Sequence, residues 1–160
     1  MAKKKKKSAA DAGRKIITVN KKARRDYEII EVFEAGIVLN GAEVKSIRQG
    51  SISLAESYVR LRNGECFMVG CHITPYKFSR EAEQEPMRDR KLLLHRSEIS
   101  KLIGRVERKG LTLVPLRVYF NPRGRCKIEI GLGRGKKLYD KREDMKAKTA
   151  QREMERALKR

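Results

Sequence analysis

The sequence predicts a mainly β protein, a small closed or nearly closed barrel followed by a basic tail. Asn63-Gly64, set between β-forming runs, is the dipeptide of a tight type I′ hairpin. Residues 111–132 alternate apolar and polar side chains around the turn NPRG at 121–124, which indicates a second hairpin. Residues 136–160 contain no Gly or Pro and few large apolar side chains, so the core does not need them.

The first elements follow from local patterns. A β-rich run at 15–20 predicts the first strand, and the basic stretch at 20–27 predicts a turn or a single helical turn. Residues 27–39 predict one long strand or two, bent at Gly36, because a glycine inside a strand often marks a bend.

Two helices are predicted in the body. The first occupies residues 40–50, with Val44 and Ile47 on one face and Gly50 as its end. The second begins at Ser97 as its cap and runs to Gly110, since apolar residues recur there at helical spacing.

The segment between these helices carries the Asn63-Gly64 hairpin, a loop and a strand. Residues 75–91 have two prolines, many charges and no period, so we expect a long mobile loop. RKLLLH, residues 90–95, then predicts a further strand.

Alternation in the second hairpin predicts which side chains face the core. One face of its first strand carries Thr112, Val114, Leu116, Val118 and Phe120, and one face of its second carries Cys126, Ile128, Ile130 and Leu132. The opposite faces are predicted to present Arg117, Tyr119, Arg125, Lys127 and Glu129.

The charge is strongly positive and concentrated at the ends. The chain has 160 residues and a formal charge of +20, with 40 Lys and Arg against 20 Asp and Glu. We expect a disordered basic segment at 1–14, one domain at 15–135 and a basic tail at 136–160. Such a field attracts polyanions, nucleic acid first and an anionic membrane surface second. No apolar run is long enough for a membrane span.

The sequence lacks the common catalytic and metal-binding patterns. Three cysteines are too few and too uneven for a disulfide framework, which fits a reducing cytosol without disulfide partners. Cys66, Cys71 and His72 lack the spacing and the further ligands of a zinc site. Gly135-Lys136 is followed by lysine instead of the Ser or Thr of a phosphate loop. We therefore expect no metal, no cofactor and no enzyme.

The pattern that favours nucleic-acid binding is a set of basic residues interleaved with aromatic ones. Arg117, Tyr119, Arg125 and Lys127 are predicted on one hairpin face, where rings stack on bases and cations hold phosphate. The alternative is that each tyrosine is an ordinary half-buried strand residue.

The tail carries good helix formers with few apolar residues, so we expect it to be disordered when free, or helical on binding an anionic groove. The alternative for the tail is a plain solubilising segment.

Several motifs together resemble one family. They are FEAGIVLNGAEVKSIRQG (33–50), ESYVRLRNGE (56–65), HITPY (72–76), RKLLLHRSEISKLIGRVERKGLTLVPLRVYF (90–120) and GRGKKLYDKRE (133–143). In this order they resemble the bacterial SsrA-binding protein family, SmpB, over residues 15 to 145. The resemblance implies an oligonucleotide-binding-like (OB-like) β-barrel and a cytoplasmic, non-catalytic protein that binds the tRNA-like domain of transfer-messenger RNA (tmRNA). It also implies delivery of that RNA to stalled ribosomes for trans-translation, with an elongation factor that accompanies the aminoacylated RNA as a further partner.

The resemblance transfers site residues one at a time. It implies RNA-binding roles for Glu34, Leu93 and Lys127. It also implies that Asp140, Lys141 and Arg142 enter the small-subunit decoding site while the tail lies as a helix in the empty message channel.

The chain departs from the family pattern in the tail. Tyr139 stands where a histidine often precedes the Asp-Lys-Arg triplet, and tyrosine can stack on a base but cannot carry a positive charge. Lys148, Thr149 and Ala150 stand where many relatives have an aromatic residue.

Two other function classes stay open from the residues. One is a general single-strand RNA-binding or ribosomal barrel protein without a rescue role. The other is an RNA-processing enzyme, which would need a nucleophile, base or metal set that the sequence does not supply.

Overall fold

The computed structural model describes residues 12–80 and 84–159, and within them the chain forms nine strands and four helices. In chain order these are β1 (Lys15–Val19), α1 (Lys21–Asp26), β2 (Tyr27–Ile37), α2 (Gly41–Arg48), β3 (Ile52–Ser53), β4 (Tyr58–Arg62), β5 (Glu65–Val69), β6 (His72–Ile73), β7 (Arg90–Leu93), α3 (Arg96–Lys109), β8 (Thr112–Phe120), β9 (Cys126–Gly135) and α4 (Leu138–Ala157). The mainly β class is confirmed, with three helices in the body and one in the tail. Most of the predicted basic segment 1–14 lies outside the described residues.

Seven strands form one antiparallel sheet in the order β1-β8-β9-β2-β7-β5-β4, and β3 pairs with β6. The sheet curls until β4 approaches β8. No backbone ladder joins β4 to β8 among the described strands, because β1 and β9 already occupy both edges of β8. The barrel is therefore not closed, and the closed alternative of the prediction is wrong.

The predicted turns are where the sequence puts them. Asn63 and Gly64 both have positive φ, 52° and 71°, as a type I′ turn requires. They join β4 to β5, while residues 121–124 join β8 to β9. Gly110 ends α3 in the left-handed conformation, as predicted.

An extra residue in β8 changes the predicted faces of the second hairpin. Pro115 is paired with Ile130 and Arg117 with Glu129, so Leu116 has no partner of its own. This bulge puts Val114 and Leu116 in a small cluster with Ala23 of α1, whereas Val118 and Phe120 belong to the main core. The single apolar face predicted for residues 112–120 is wrong, because alternation restarts after the bulge.

Three further boundaries differ from the sequence predictions. β2 is one strand, and its irregularity lies between Ile29 and Glu31 instead of at Gly36. α3 has His95 as its N-cap in place of Ser97, since Glu98 accepts a hydrogen bond from the His95 N–H at 3.0 Å. The basic stretch before β2 is a six-residue helix, because the Asn20 side chain accepts from the Ala23 N–H and caps it.

The segment 75–91, expected to be a mobile loop, has no strand or helix in its described residues up to Asp89, and its last two residues begin β7. Hydrogen bonds tie it to the body. Arg90 is fully buried and donates to the Glu43 carboxylate at 2.9 Å and to the carbonyls of Cys71 and Pro86. Arg88 donates to the same carboxylate at 2.6 and 2.8 Å. Glu43, on α2, therefore anchors the end of this segment.

No helix in the described ranges is both long and apolar enough to cross a membrane.

We expect Glu43→Gln to lower the free energy of unfolding by about 3 kcal/mol, because it leaves the buried Arg90 charge without a carboxylate. Urea denaturation at neutral pH measures this. The matched control is Glu65→Gln, which breaks a half-exposed pair with Lys91 and should cost no more than about 1 kcal/mol. Equal losses in the two variants would contradict the buried-pair account.

The loss should also depend on pH. Burial raises the pKa of Glu43, but hydrogen bonds from Arg88, the Asn40 N–H and Arg90 outweigh it and leave the pKa lowered. A lowered folded-state pKa gives stability that is present above the unfolded pKa and lost as pH falls through the folded one. The difference between wild type and Glu43→Gln should therefore shrink in acid.

Candidate nucleic-acid interface

Three neighbouring strands bring Glu34, Leu93 and Lys127 onto one side of the sheet. Gly36 of β2 is paired with Lys127 of β9 on one side and with Leu93 of β7 on the other. Glu34 lies two residues before Gly36 and so faces the same way. Its neighbours Phe33 and Ala35 point into the core. We call this surface the outer patch, made of Glu34, Leu93 and Lys127 with Arg14, Arg117, Tyr119 and Glu129.

Gly36 leaves a shallow apolar depression in the outer patch. A Cβ at this position would lie 3.4 Å from the Cβ of Leu93, so the leucine leans over the glycine. The Leu93 side chain is 53% exposed. Leu93 and the backbone of Gly36 therefore offer a flat apolar surface to a ligand, and Lys127 lies next to this surface.

Two carboxylates face each other across the strands in the outer patch. Glu34 and Glu129 are directly paired residues of β2 and β9. Like charges in this position repel. Arg14 bridges them, donating to Glu34 at 3.0 Å and to Glu129 at 3.2 Å, and Arg117 adds a two-pronged contact with Glu129 at 2.6 and 2.7 Å. The two cations make the pair compatible with folding.

Tyr119 does not present the open ring expected from the sequence. Its side chain is fully buried, and the Arg14 guanidinium lies over the ring at 4.5 Å from the centroid. The hydroxyl donates to Glu34. Burial and this hydrogen bond raise the pKa of Tyr119, so it is a neutral donor at physiological pH. In this structure it orients Glu34, and its ring is not free to stack on a base.

Arg125 lies apart from Arg117. It is exposed in the turn just before β9, and its N–H donates to the Asn121 side chain at 2.9 Å. Its position is two residues before Lys127, at the tip of the hairpin. The expected row of four basic and aromatic residues is therefore divided between the turn and the sheet.

Glu34 keeps one acceptor atom available. Both of its contacts, from Arg14 and from Tyr119, end on Oε2, and in the described part of the chain Oε1 has no partner. A groove of about 390 Å³ lies beside it, between β2 and α3, with Ser97 and Lys101 in its wall. This geometry suits a ligand that donates a hydrogen bond.

The tail forms the helix α4. α4 contributes no buried residue, and Tyr139 is 71% exposed. Asp140 and Arg142 are exposed as well, whereas Lys141 lies 3.7 Å from the Asp26 carboxylate. The sequence predicts a tail that is disordered when free, or helical on binding, and in the structure residues Leu138–Ala157 are helical.

The cysteines are buried or partly buried free thiols. Burial raises the pKa of Cys66 to about 12, of Cys71 to about 11 and of Cys126 to about 12. Thiols of this kind are poor nucleophiles at neutral pH. Across residues 12–80 and 84–159, no three His, Cys, Asp or Glu side chains are grouped so that they could hold a metal ion.

Sequence reasoning missed Arg14 and the structural part played by Glu129. Arg14 stands one residue before β1 and had been assigned to the disordered segment. Its contact with Glu129 spans 115 residues and depends on the pairing of β1 with β8. No local signal marks such a contact.

Comparisons with known proteins agree on one family. The family model described as SmpB protein matches residues 17–160. An SsrA-binding protein from Acetivibrio thermocellus is 56% identical over 146 residues, 91% of this chain and 94% of that relative. One from Microcystis aeruginosa is 58% identical over 147 residues, 91% of this chain and 95% of that relative.

A solved structure described as "tmRNA-SmpB: a journey to the center of the bacterial ribosome" matches with a TM-score of 0.63 and 50% identity. The match covers 77% of this chain and 85% of that one. The chain belongs to the SmpB family of SsrA-binding proteins.

Proposed function

We propose that this protein is an RNA-binding adaptor, not an enzyme, that binds the tRNA-like domain of tmRNA and delivers it to stalled ribosomes for trans-translation. The observation that carries the proposal is the outer patch, where Glu34, Leu93 and Lys127 meet in a chain of the SmpB family. The named relatives are SsrA-binding proteins, and the description of the matching solved structure names tmRNA-SmpB and the bacterial ribosome.

The outer patch offers three different contacts to a folded RNA. Lys127 neutralises phosphate, which supplies affinity without reading sequence. Leu93 over Gly36 gives an apolar surface for a sugar or a base face. Glu34 Oε1 accepts from a base N–H or a 2′-hydroxyl, and the 2′-hydroxyl distinguishes RNA from DNA.

Arg14, Arg117 and Tyr119 act on the RNA through Glu34 and Glu129. They hold the carboxylates at fixed positions before binding, so the RNA need not order them. Arg125, exposed at the hairpin tip, extends the cationic surface beyond Lys127.

The tail acts at the ribosome. Tyr139, Asp140, Lys141 and Arg142 enter the decoding site, and the remainder of α4 lies as a helix in the message channel that an incomplete message leaves empty. The helix is already formed in the structure, with Tyr139 exposed on its first turn. The protein works in the cytoplasm, and an elongation factor that carries the aminoacylated RNA is a further partner.

We expect Glu34→Gln to weaken binding of the tRNA-like domain by about tenfold or more, because hydrogen bonds to charged groups contribute about 1.5–3 kcal/mol. The amide oxygen would stay with Arg14 and Tyr119, which turns the NH₂ donor toward the RNA. The substitution also removes a negative charge, so binding of an unpaired RNA strand should tighten or stay constant. Filter binding measures the change in affinity for each RNA, which should be a loss for the tRNA-like domain and no loss for the unpaired strand.

Glu28→Gln is the matched control, since Glu28 is an exposed carboxylate on the same strand. Glu28→Gln should tighten the binding of both RNAs slightly and equally, as the loss of any exposed negative charge does. If Glu34→Gln tightens both RNAs as Glu28→Gln does, the protein is a general RNA-binding barrel and the proposed recognition is wrong.

Truncation after Gly135 should leave binding of the tRNA-like domain largely intact and abolish peptide tagging. The body does not need α4, because no residue of this helix is buried. Tagging in a reconstituted stalled translation system is the measurement. Deleting residues 2–10 is the control: it removes a charge of +5, the same as that of residues 136–160, and should tag normally. Normal tagging by the truncated protein would refute the role of the tail.

Tyr139→Phe should keep more tagging activity than Tyr139→Ala, by about tenfold, because the phenyl ring still stacks on a base. The alanine variant cannot fail through loss of the helix, since alanine favours helix more than tyrosine does. Leu138→Ala, at a neighbouring residue that is 72% exposed, controls for removal of apolar surface. Equal activity of Tyr139→Phe and Tyr139→Ala would exclude stacking.

A further inference from the structure

A cation-lined groove lies between α1 and the tail helix. Its volume is about 590 Å³, and six basic side chains contribute to its walls: Lys21, Lys22, Arg24, Arg25, Lys148 and Arg152. The other lining residues are Met145 and Thr149, so no carboxylate lines the groove. It is separate from the outer patch, because no residue of that patch lines it, and Glu34 lies eight residues beyond the end of α1, about 26 Å of strand.

Most of this charge is not neutralised within the protein. Lys22 is paired with Glu56 at 2.9 Å and Arg25 with Asp26 at 3.1 Å. Within the described ranges the other four cations, Lys21, Arg24, Lys148 and Arg152, have no carboxylate within ion-pair distance. Four unpaired like charges around one groove repel each other, and an anion placed between the helices would remove that repulsion.

The start of α4 is fixed against the end of α1. The Lys136 N–H donates to the Asp26 carbonyl at 2.8 Å, and the Asp26 carboxylate lies 3.7 Å from Lys141. A hydrogen bond from Arg25 lowers the pKa of Asp26, and Lys141 lowers it further, so the carboxylate is ionised at physiological pH. Asp26 thus holds the two helices together at one end of the groove.

α4 turns its cations toward α1. At 100° per residue, positions separated by three, four or seven residues share a face. The face of Lys148 and Arg152 also carries Lys141, Arg156 and Lys159. Asp144 and Glu155 share this face by the same spacing, but neither carboxylate lines the groove.

The groove favours a phosphate backbone over other anions. It contains no aromatic residue, so it has nothing to stack on unpaired bases. A membrane surface would require a broad apolar face beside the cations, whereas the groove contains one large apolar side chain, Met145. Met154 and Leu158, the exposed apolar residues nearest the end of α4, lie on the opposite side of the helix from Arg152.

We propose that the α1–α4 groove binds the phosphate backbone of double-stranded RNA, in addition to the RNA contact made by the outer patch. The strand lies between the two helices and is contacted by cations of both. Binding there holds α4 against the body. This inference does not depend on which RNA the outer patch recognises.

A double-mutant cycle on the full-length protein tests the groove. The probe is a blunt RNA hairpin with one full helical turn and no tRNA-like fold, and the variants are Arg24→Gln, Arg152→Gln and both together. Each single change should weaken binding about fivefold near physiological salt and reduce the slope of log K against log salt by about 0.9. The double variant should lose less than the product of the single losses, because either change alone already removes the phosphate contact that links the two helices.

Two matched controls remove one positive charge elsewhere. Lys146→Gln lies on another face of α4, and Arg108→Gln lies in the exposed last turn of α3. Both should bind the hairpin more tightly than the groove variants. If the controls lose as much as the groove variants, or if the two groove changes multiply independently, the groove proposal is wrong.

Two further measurements distinguish RNA binding in the groove from binding at the outer patch and from binding to a membrane. Adding Glu34→Gln to Arg152→Gln should not change the fold loss of hairpin binding that Arg152→Gln causes by itself, so a failure of the outer patch would not be mistaken for a failure of the groove. Phosphatidylglycerol vesicles replace the hairpin in the second arm and should not distinguish Arg152→Gln from Lys146→Gln. A selective loss of vesicle binding in Arg152→Gln would point to a membrane ligand and overturn the RNA assignment.

Discussion

The bulge at Leu116 decides what each side of the sheet can do. Before it, Val114 points toward α1, and after it Val118 points into the main core. With strict alternation, Leu116 would force Arg117 and Tyr119 into the core and Val118 into solvent. The extra residue lets one strand complete a small apolar cluster under α1 and then present polar side chains beside Glu34. The α1 cluster and the outer patch are thus neighbours on one face because of a single unpaired residue.

The elements with their own local signals could be predicted from the sequence. Asn63-Gly64 accepts positive φ at both turn positions, and Gly110 ends α3 for a similar reason. The bulge has no such signal in the hydrophobic pattern, since Leu116 is apolar and fits either face. Pro115 is the one hint, because a proline cannot donate to the ladder and often stands at a bulge. Sequence reasoning therefore found the hairpin but assigned one half of its first strand to the wrong side.

The candidate site also has a part that the sequence predicts and a part that it does not. Family motifs placed Glu34, Leu93 and Lys127, and strand pairing brings them together around Gly36. What those motifs could not give is how two facing carboxylates are tolerated. That depends on Arg14, which reaches them only because β1 pairs with β8, and on Tyr119, whose burial changes it from an expected stacking ring into a donor. Long-range pairing, not residue type, assigns these roles.

The tail helix is attached weakly, and its attachment depends on charge. α4 buries no side chain, and two contacts hold its start to α1: the hydrogen bond from the Lys136 N–H to the Asp26 carbonyl and the Lys141–Asp26 ion pair. A partly exposed pair of this kind contributes about 0–1 kcal/mol. Repulsion between the unpaired cations of α1 and α4 opposes even this. An RNA backbone can therefore shift the helix at small cost, either toward α1 by lying in the groove or away from the body by offering phosphate elsewhere. Because the helix is already formed, neither move requires much ordering of the chain, and the position of the polyanion selects the position of the tail.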